Sequence, residues 1–252
     1  MTSSLSLRGK NAIITGASSG IGRAIALALA QQGCSVAVLG RREKRLQELV
    51  SEVEVHQVKA GAFPVDLSDI TATQQTVAAA AESLGGLDIL INAAGVGRQA
   101  HLIDGDIADW KTMLDVNVFA LALVTREALP HFPDSGGHVV NISSMSGHRV
   151  PGKGGFYAAT KFAVRALTEG LRQELRGKNN YTRVSSISPG FVDTELLDDY
   201  FSTSKDDSTK YERIGYPILQ PSEIADLVIH QLTMPATAEV TDILVRPTAQ
   251  RT

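Results

Sequence analysis

Asn11-Ala-Ile-Ile-Thr15-Gly16-Ala-Ser18-Ser19-Gly20-Ile21-Gly22 carries a short apolar run through a glycine cluster and straight into the helical pattern Arg23-Ala-Ile-Ala-Leu-Ala-Leu-Ala30. A strand that turns through glycines into a helix is a natural phosphate cradle. The first amides of a helix lack intrahelical partners, and its dipole favours negative charge there. In that context the glycines read as a dinucleotide-binding turn. Gly16 permits the tight turn, Gly20 lets backbone approach a pyrophosphate, and Gly22 allows helix to pack closely on strand. The spacing is Gly-x-x-x-Gly-x-Gly, not the commoner Gly-x-Gly-x-x-Gly.

Working outward, the same rhythm repeats. Gly33 stands where a helix ends, Ser35–Leu39 reads as a second strand, and Leu46, Leu49, Val50 and Val53 mark an amphipathic helix. Ala62–Asp66 is expected as a third strand, entered through Pro64, and Ser68 or Asp69 caps a helix that stops near Gly85-Gly86. Further strands are expected at Leu87–Ile91, His138–Ile142, Arg183–Ile187 and Val240–Val245, with long helices near 106–131 and 156–176. Strands alternating with helices imply right-handed crossovers. The expected fold is α/β: a three-layer Rossmann fold, with a doubly wound parallel sheet of about seven strands and helices on both faces. One domain spans 1–252, interrupted by a polar, poorly periodic stretch at 195–216 that reads as a substrate lid.

Composition narrows the function. Of 252 residues, 43% are hydrophobic and 20% charged, enough for a sizeable core. A formal net charge of −3 does not suit nucleic-acid binding, which calls for a basic face. The single cysteine, Cys34, excludes an internal disulfide and suits a reducing compartment. Neither a signal-like start nor eighteen uninterrupted apolar residues occurs, so a cytoplasmic protein is expected, with no membrane span. No cluster of His, Cys, Asp and Glu has metal-ligand spacing, and no metal is expected.

The second strand ends Leu39-Gly40-Arg41-Arg42. An acidic residue at that place would grip the ribose hydroxyls of NAD(H). Two guanidiniums instead favour the 2′-phosphate of NADP(H) through charge-assisted bonds. Later in the chain, Tyr157 and Lys161 stand four apart on an expected helix, with Cβ atoms about 5–6 Å apart. A cation that close draws a phenol toward the working pH, and a nearby serine hydroxyl could hold a substrate oxygen. Taken alone the spacing is commonplace.

Together with their order along the chain, these motifs resemble the short-chain dehydrogenase/reductase family, in its NADP-preferring branch, from Lys10 to about Thr248. The resemblance implies a cofactor loop at Thr15–Gly22, including Ser18, Ser19 and Ile21, and an adenine contact at Asp66-Leu67. It implies a cofactor-side turn at Asn92-Ala93-Ala94-Gly95, where Ala93 departs from the family's second asparagine. Pro189-Gly190-Phe191-Val192-Asp193-Thr194 would be the nicotinamide-side loop, with Val192 and Thr194 on the carboxamide.

Asn117, Ser144, Tyr157 and Lys161 would be the catalytic set, with Ser144 chosen over Ser143 by the thirteen-residue interval to Tyr157. In that scheme Tyr157 exchanges a proton with the substrate oxygen as hydride passes to or from the cofactor, Ser144 bonds that oxygen, and Lys161 binds the cofactor's ribose. Asn117 anchors a water leading to Lys161. The implied activity is NADP(H)-dependent interconversion of a ketone or aldehyde with an alcohol, in a homodimer or homotetramer. A catalytically silent NADP(H) sensor on the same fold is the competing class. For the substrate, Met145, Phe156 and Val192 suggest an apolar wall and His148 and Arg149 a polar or anionic contact, with Arg98 and His101 on the rim.

Overall fold

The computed structural model describes residues 6–152, 154–202 and 208–251. Part of the expected lid, 203–207, lies outside them. The strands are β1 (Asn11–Thr15), β2 (Ser35–Gly40), β3 (Ala60–Pro64), β4 (Ile89–Asn92), β5 (His138–Ile142), β6 (Arg183–Pro189) and β7 (Asp242–Val245). They form one sheet in the order β3-β2-β1-β4-β5-β6-β7, and every pairing is parallel. The chain winds outward from β1 to β3, then crosses back to lay β4 beside β1. That reversal opens a crevice at the carboxyl ends of β1 and β4, the place where such sheets bind ligands.

The helices are α1 (Gly20–Gln31), α2 (Glu43–Glu54), α3 (Ile70–Leu84), α4 (Ile107–Leu114), α5 (Leu121–Ala128), α6 (Gly155–Gly177), α7 (Glu195–Ser202), α8 (Lys210–Ile214) and α9 (Pro221–Thr233). Alternate residues of one strand feed opposite layers. Ile14 packs with Ile25 and Leu29 of α1, while its neighbour Ile13 joins Val77 and Ala80 of α3 and Val124 of α5. Both sheet faces are therefore covered, as strands this apolar require. Asp69 caps α3 by accepting from Ala72 N–H at 2.9 Å, and Gly85 ends it at φ 83°. Cys34 is buried, and burial pushes its thiol up to about 12.

Three details differ from the expected elements. The third strand lies at 60–64, so Asp66 stands beyond it; β3 is the sheet edge, where a proline costs no ladder bond. The helix expected near 106–131 contains a π-helical turn at Asp115–Ala120, a form common at functional sites. The stretch expected to be irregular folds locally into α7 and α8, the latter with a capping box between Thr209 and Glu212. Among the described residues no helix is long and apolar enough to cross a membrane.

Candidate active site

A single cleft runs along the carboxyl ends of β1, β4, β5 and β6, from Arg41 and Asp66 at one end to Tyr157, Tyr200 and Gln250 at the other. Its first wall is the glycine turn. Gly16 has φ 66°, and a Cβ there would stand 2.7 Å from Ala94 Cα, so only glycine lets β1 and the turn after β4 approach this closely. Thr15 stitches the two turns, its Oγ1 accepting from the amides of Ala93 and Ala94 at 3.1 Å each. Gly20 faces Thr194 across the cleft, where a Cβ would meet Cγ2 at 3.1 Å. Ser18, Ser19, Ile21 and Gly22 complete this wall, with Ala93 and Gly95 beside it.

Arg41 and Arg42 line the same end. Arg42 donates to Ser18 Oγ (Nε, 3.1 Å) and Ser19 Oγ (Nη2, 2.6 Å), and pairs with Glu195 Oε2 at 2.6 Å. Glu195 also takes Arg45 at 2.6 Å, and the hydrogen bonds of Arg42 and Arg45 hold its carboxyl down at about 2. Asp66 and Leu67 border this end; bonds from Ser68 and the charge of Arg41 hold the Asp66 carboxyl below its usual range. The donor set fits a phosphorylated dinucleotide: glycine backbone for close approach, serine hydroxyls, and two guanidiniums with no carboxylate at Gly40.

At the other end, α6 brings Tyr157 and Lys161 into the cleft, both buried. Lys161 Nζ lies 5.8 Å from the Tyr157 ring centroid and donates to Ile142 O at 3.0 Å. Burial draws its pKa down to about 8. Tyr157 does not follow the sequence expectation of a phenol drawn toward neutral pH by its lysine. Burial pushes it up, the Ser144 hydroxyl draws it part of the way back, and Tyr200 adds to the rise. The net direction is upward, so the protonated phenol is favoured. Ser143 spends its hydroxyl on Lys161 O at 3.2 Å, whereas Ser144 stands beside the phenol.

Asn117 sits in the π-helical turn, buried, behind the cleft wall. Its Oδ1 accepts from Val96 N–H at 2.8 Å and its Nδ2 donates to Val96 O at 2.9 Å and Thr160 Oγ1 at 3.0 Å. Thr160 in turn donates to Tyr157 O at 2.8 Å. With its carboxamide bonded to Val96 and Thr160, Asn117 braces the turn after Gly95 against α6.

Three expected contacts lie elsewhere. Asn92 is turned into the sheet, donating to Thr125 Oγ1 and Asn141 Oδ1 at 2.9 Å each, because β4 is covered on that face by α5. His148 points away from the cleft toward Asp242 Oδ2, 3.2 Å away; burial and then Arg165 lower its pKa against the pull of Asp242. Phe156 stacks on Trp110, centroids 5.2 Å apart, behind Tyr157. Met145, Arg149, Pro189, Gly190, Val192 and Thr194 do line the cleft. Arg98 pairs with Asp199 at 3.3 Å, and His101 with Asp104 at 3.4 Å, outside it.

Residues missed from sequence close the Tyr157 end of the cleft. Tyr200 of α7 meets Tyr157 edge-on, centroids 5.7 Å apart, and Leu196, Leu197, Pro151 and Gln250 join it. The sequence signal for Tyr200 was its place in the polar lid segment, and for Gln250 its place in the tail Arg246-Pro-Thr-Ala-Gln250 after the last strand. Among the described residues no three His, Cys, Asp or Glu side chains gather to hold a metal ion.

A family model described as short chain dehydrogenase matches residues 10–205. Human dehydrogenase/reductase SDR family member 11 is 41% identical, over 97% of this chain and 96% of its own. Among solved structures, the closed form of a serine dehydrogenase complexed with NADP+ superposes at TM-score 0.87 with 30% identity, covering 96% of each chain. An alcohol dehydrogenase from the archaeon Thermococcus sibiricus, complexed with 5-hydroxy-NADP, reaches 0.84 with 29% identity, over 96% of this chain and 98% of its own.

Proposed function

Since this chain belongs to the short-chain dehydrogenase/reductase family of oxidoreductases, we propose that it is an NADP(H)-dependent enzyme interconverting a ketone or aldehyde with the corresponding alcohol. The observation that carries the reading is one cleft with two chemistries. Arg41, Arg42 and the glycine turn wall one end, and Ser144, Tyr157 and Lys161 converge at the other. The NADP-bound serine dehydrogenase and alcohol dehydrogenase support the same cofactor.

The residues that would hold the cofactor are the Gly16–Gly22 turn, Arg41 and Arg42, Asp66-Leu67, Ala93, Gly95, Lys161 and the Pro189–Thr194 loop. When bound, NADPH supplies the hydride. Tyr157 gives its phenolic proton to the carbonyl oxygen as negative charge develops there, and Ser144 donates a hydrogen bond to the same oxygen. Lys161, buried and cationic below about pH 8, helps offset the charge left on the phenolate. Asn117 positions these groups through Val96 and Thr160. In alcohol oxidation Tyr157 takes the proton instead.

Residues 195–216 serve as the substrate lid of this single domain. Leu114, Phe119, Phe162 and Leu167, exposed on the stretch from α4 through its π-helical turn and on α6, support a homodimer or homotetramer, and a cytoplasmic location suits the lone buried thiol. A panel of ketones, aldehydes and keto acids, followed by NADPH oxidation, tests the activity. Turnover of at least one compound is expected. Tight NADPH binding with no turnover of any would turn the reading to a cofactor sensor.

A further inference from the structure

After β7 the chain turns at Pro247, where Gln250 N–H donates to Pro247 O at 2.9 Å, and Gln250 is sent back over the end of β6. It is 6% exposed and lines the cleft. Its Oε1 accepts from Phe191 N–H at 3.3 Å, while Gly190 N–H donates to Val245 O at 2.7 Å. The segment after β7 and the turn after β6 are thus stitched at both backbone and side chain. Gly190 makes the fit possible. A Cβ there would overlap Gln250 Oε1 and stand 3.0 Å from Pro247 Cδ and 3.1 Å from Met145 Sδ. Met145 follows Ser144 directly, so the serine strand end, the Gly190 turn and the Gln250 carboxamide meet at one point.

We propose that Gln250 is a positioning residue for hydride transfer, holding the Gly190–Val192 turn at a set distance from Ser144 and Met145. The proposal rests on the NADP(H) oxidoreductase reading above. A side chain that merely sealed the cleft would be apolar, because a buried amide costs free energy unless its partners are held for it. Here the acceptor oxygen meets a backbone amide of the very loop that the reading places beside the nicotinamide. A lost acceptor lets that turn drift, and small misplacements near reacting atoms are expensive in rate.

The test compares Gln250→Leu, which keeps bulk without an acceptor, with Gln250→Glu, which keeps an acceptor oxygen, and with Gly190→Ala, which displaces the carboxamide. In the cofactor-free chain, amide exchange at 190–192 is expected to rise tenfold or more in Gln250→Leu and to return toward the native rate in Gln250→Glu. With saturating NADPH and a carbonyl found by the panel, kcat of Gln250→Leu is expected to fall at least tenfold, with NADPH affinity within threefold and melting temperature unchanged. Gln250→Glu should recover most of that loss, and Gly190→Ala combined with Gln250→Leu should be no worse than the poorer single variant. Retained kcat in Gln250→Leu, a loss matched by a fall in melting temperature, or no recovery in Gln250→Glu overturns the proposal. If no carbonyl is turned over by the native chain, the underlying reading fails instead, and the exchange rates, which need neither cofactor nor substrate, still decide whether Gln250 holds the turn.

Discussion

The two ends of the cleft are built by different means. The nucleotide end is made of backbone: strand ends, the Gly16 turn with its positive φ, and helix amides, with Arg41 and Arg42 only a few residues past β2. The substrate end is made of side chains from segments far apart in sequence, Arg149 and Pro151 after β5, Leu196 and Tyr200 on α7, and Gln250 after β7. A backbone demand translates into residue type and spacing. A side-chain wall translates into neither, since any residue of suitable bulk can serve. The difference predicts that variants at the two ends fail in separable ways.

The largest effect falls at the Tyr157 end. Tyr157→Phe removes the proton donor and leaves ring and packing in place. Carbonyl reduction is expected to drop by about 10²–10⁴-fold, the range for a positioned acid or base, while NADPH titration shifts little. Near-native turnover would mean the phenol is packing only. Because burial holds the phenol protonated, reduction should stay fast at and below neutral pH. Alcohol oxidation, which needs the phenolate, should climb with pH, and a flat oxidation profile would place the base elsewhere.

Next comes the nucleotide end. Arg42→Ala removes a guanidinium bound to Ser18, Ser19 and Glu195. Loss of one charge-assisted contact to a phosphate, worth about 1.5–3 kcal/mol, predicts roughly ten- to a hundredfold weaker NADPH with NADH nearly unchanged. Equal losses for both cofactors would show that Arg42 holds the loop and not a 2′-phosphate. Tyr200→Ala probes the opposite end. Tyr200 lines the cleft edge-on to Tyr157, so removing its apolar ring should raise KM for an apolar carbonyl several-fold while NADPH affinity stays put. A shift in cofactor affinity instead would break the division between the ends.

That division also accounts for what was legible in the sequence. The strand–glycine–helix passage and the order of motifs announced the doubly wound sheet, because a parallel strand must be apolar and a crossover must carry a helix. Ser144, Tyr157 and Lys161, expected from the family resemblance, are brought to one end of the cleft. His148 and Phe156 were misplaced for a physical reason. Nearness to Ser144 and Tyr157 in the chain identifies the loop, but the turn at Met145–Gly147 and the helical rotation at Gly155 decide where a side chain points. His148 turns to Asp242 and Phe156 to Trp110. Asn92 shows the same limit on a strand, where alternate residues face opposite layers. Gln250 and Tyr200 had no local signature, since their partners lie on distant strands and helices.

The smallest expected effect is the one that joins the ends. Glu195 opens α7, the helix that carries Leu196 and Tyr200 to the substrate side, yet its carboxylate bridges Arg42 and Arg45 on the nucleotide side. α8 is tied to the same body by Lys210, which pairs with Asp193 at 2.7 Å and Asp198 at 2.9 Å. Glu195 and Arg42 both line the cleft, so a cofactor entering at that end meets this strap. Exposed ion pairs contribute only about 0–1 kcal/mol and weaken further in salt, so the strap opens readily. Glu195→Gln should therefore speed NADPH association and dissociation together, about two- to fivefold by stopped-flow fluorescence at low salt, and move the equilibrium constant less than either rate. Added salt should bring the native rates up to those of the variant. Hydrogen bonds from Arg42 and Arg45 hold the Glu195 carboxyl below its usual range, so the difference should persist at neutral pH. Rates that do not change would put the cofactor's path beside the Arg42–Glu195 bridge and leave the two ends of the cleft independent.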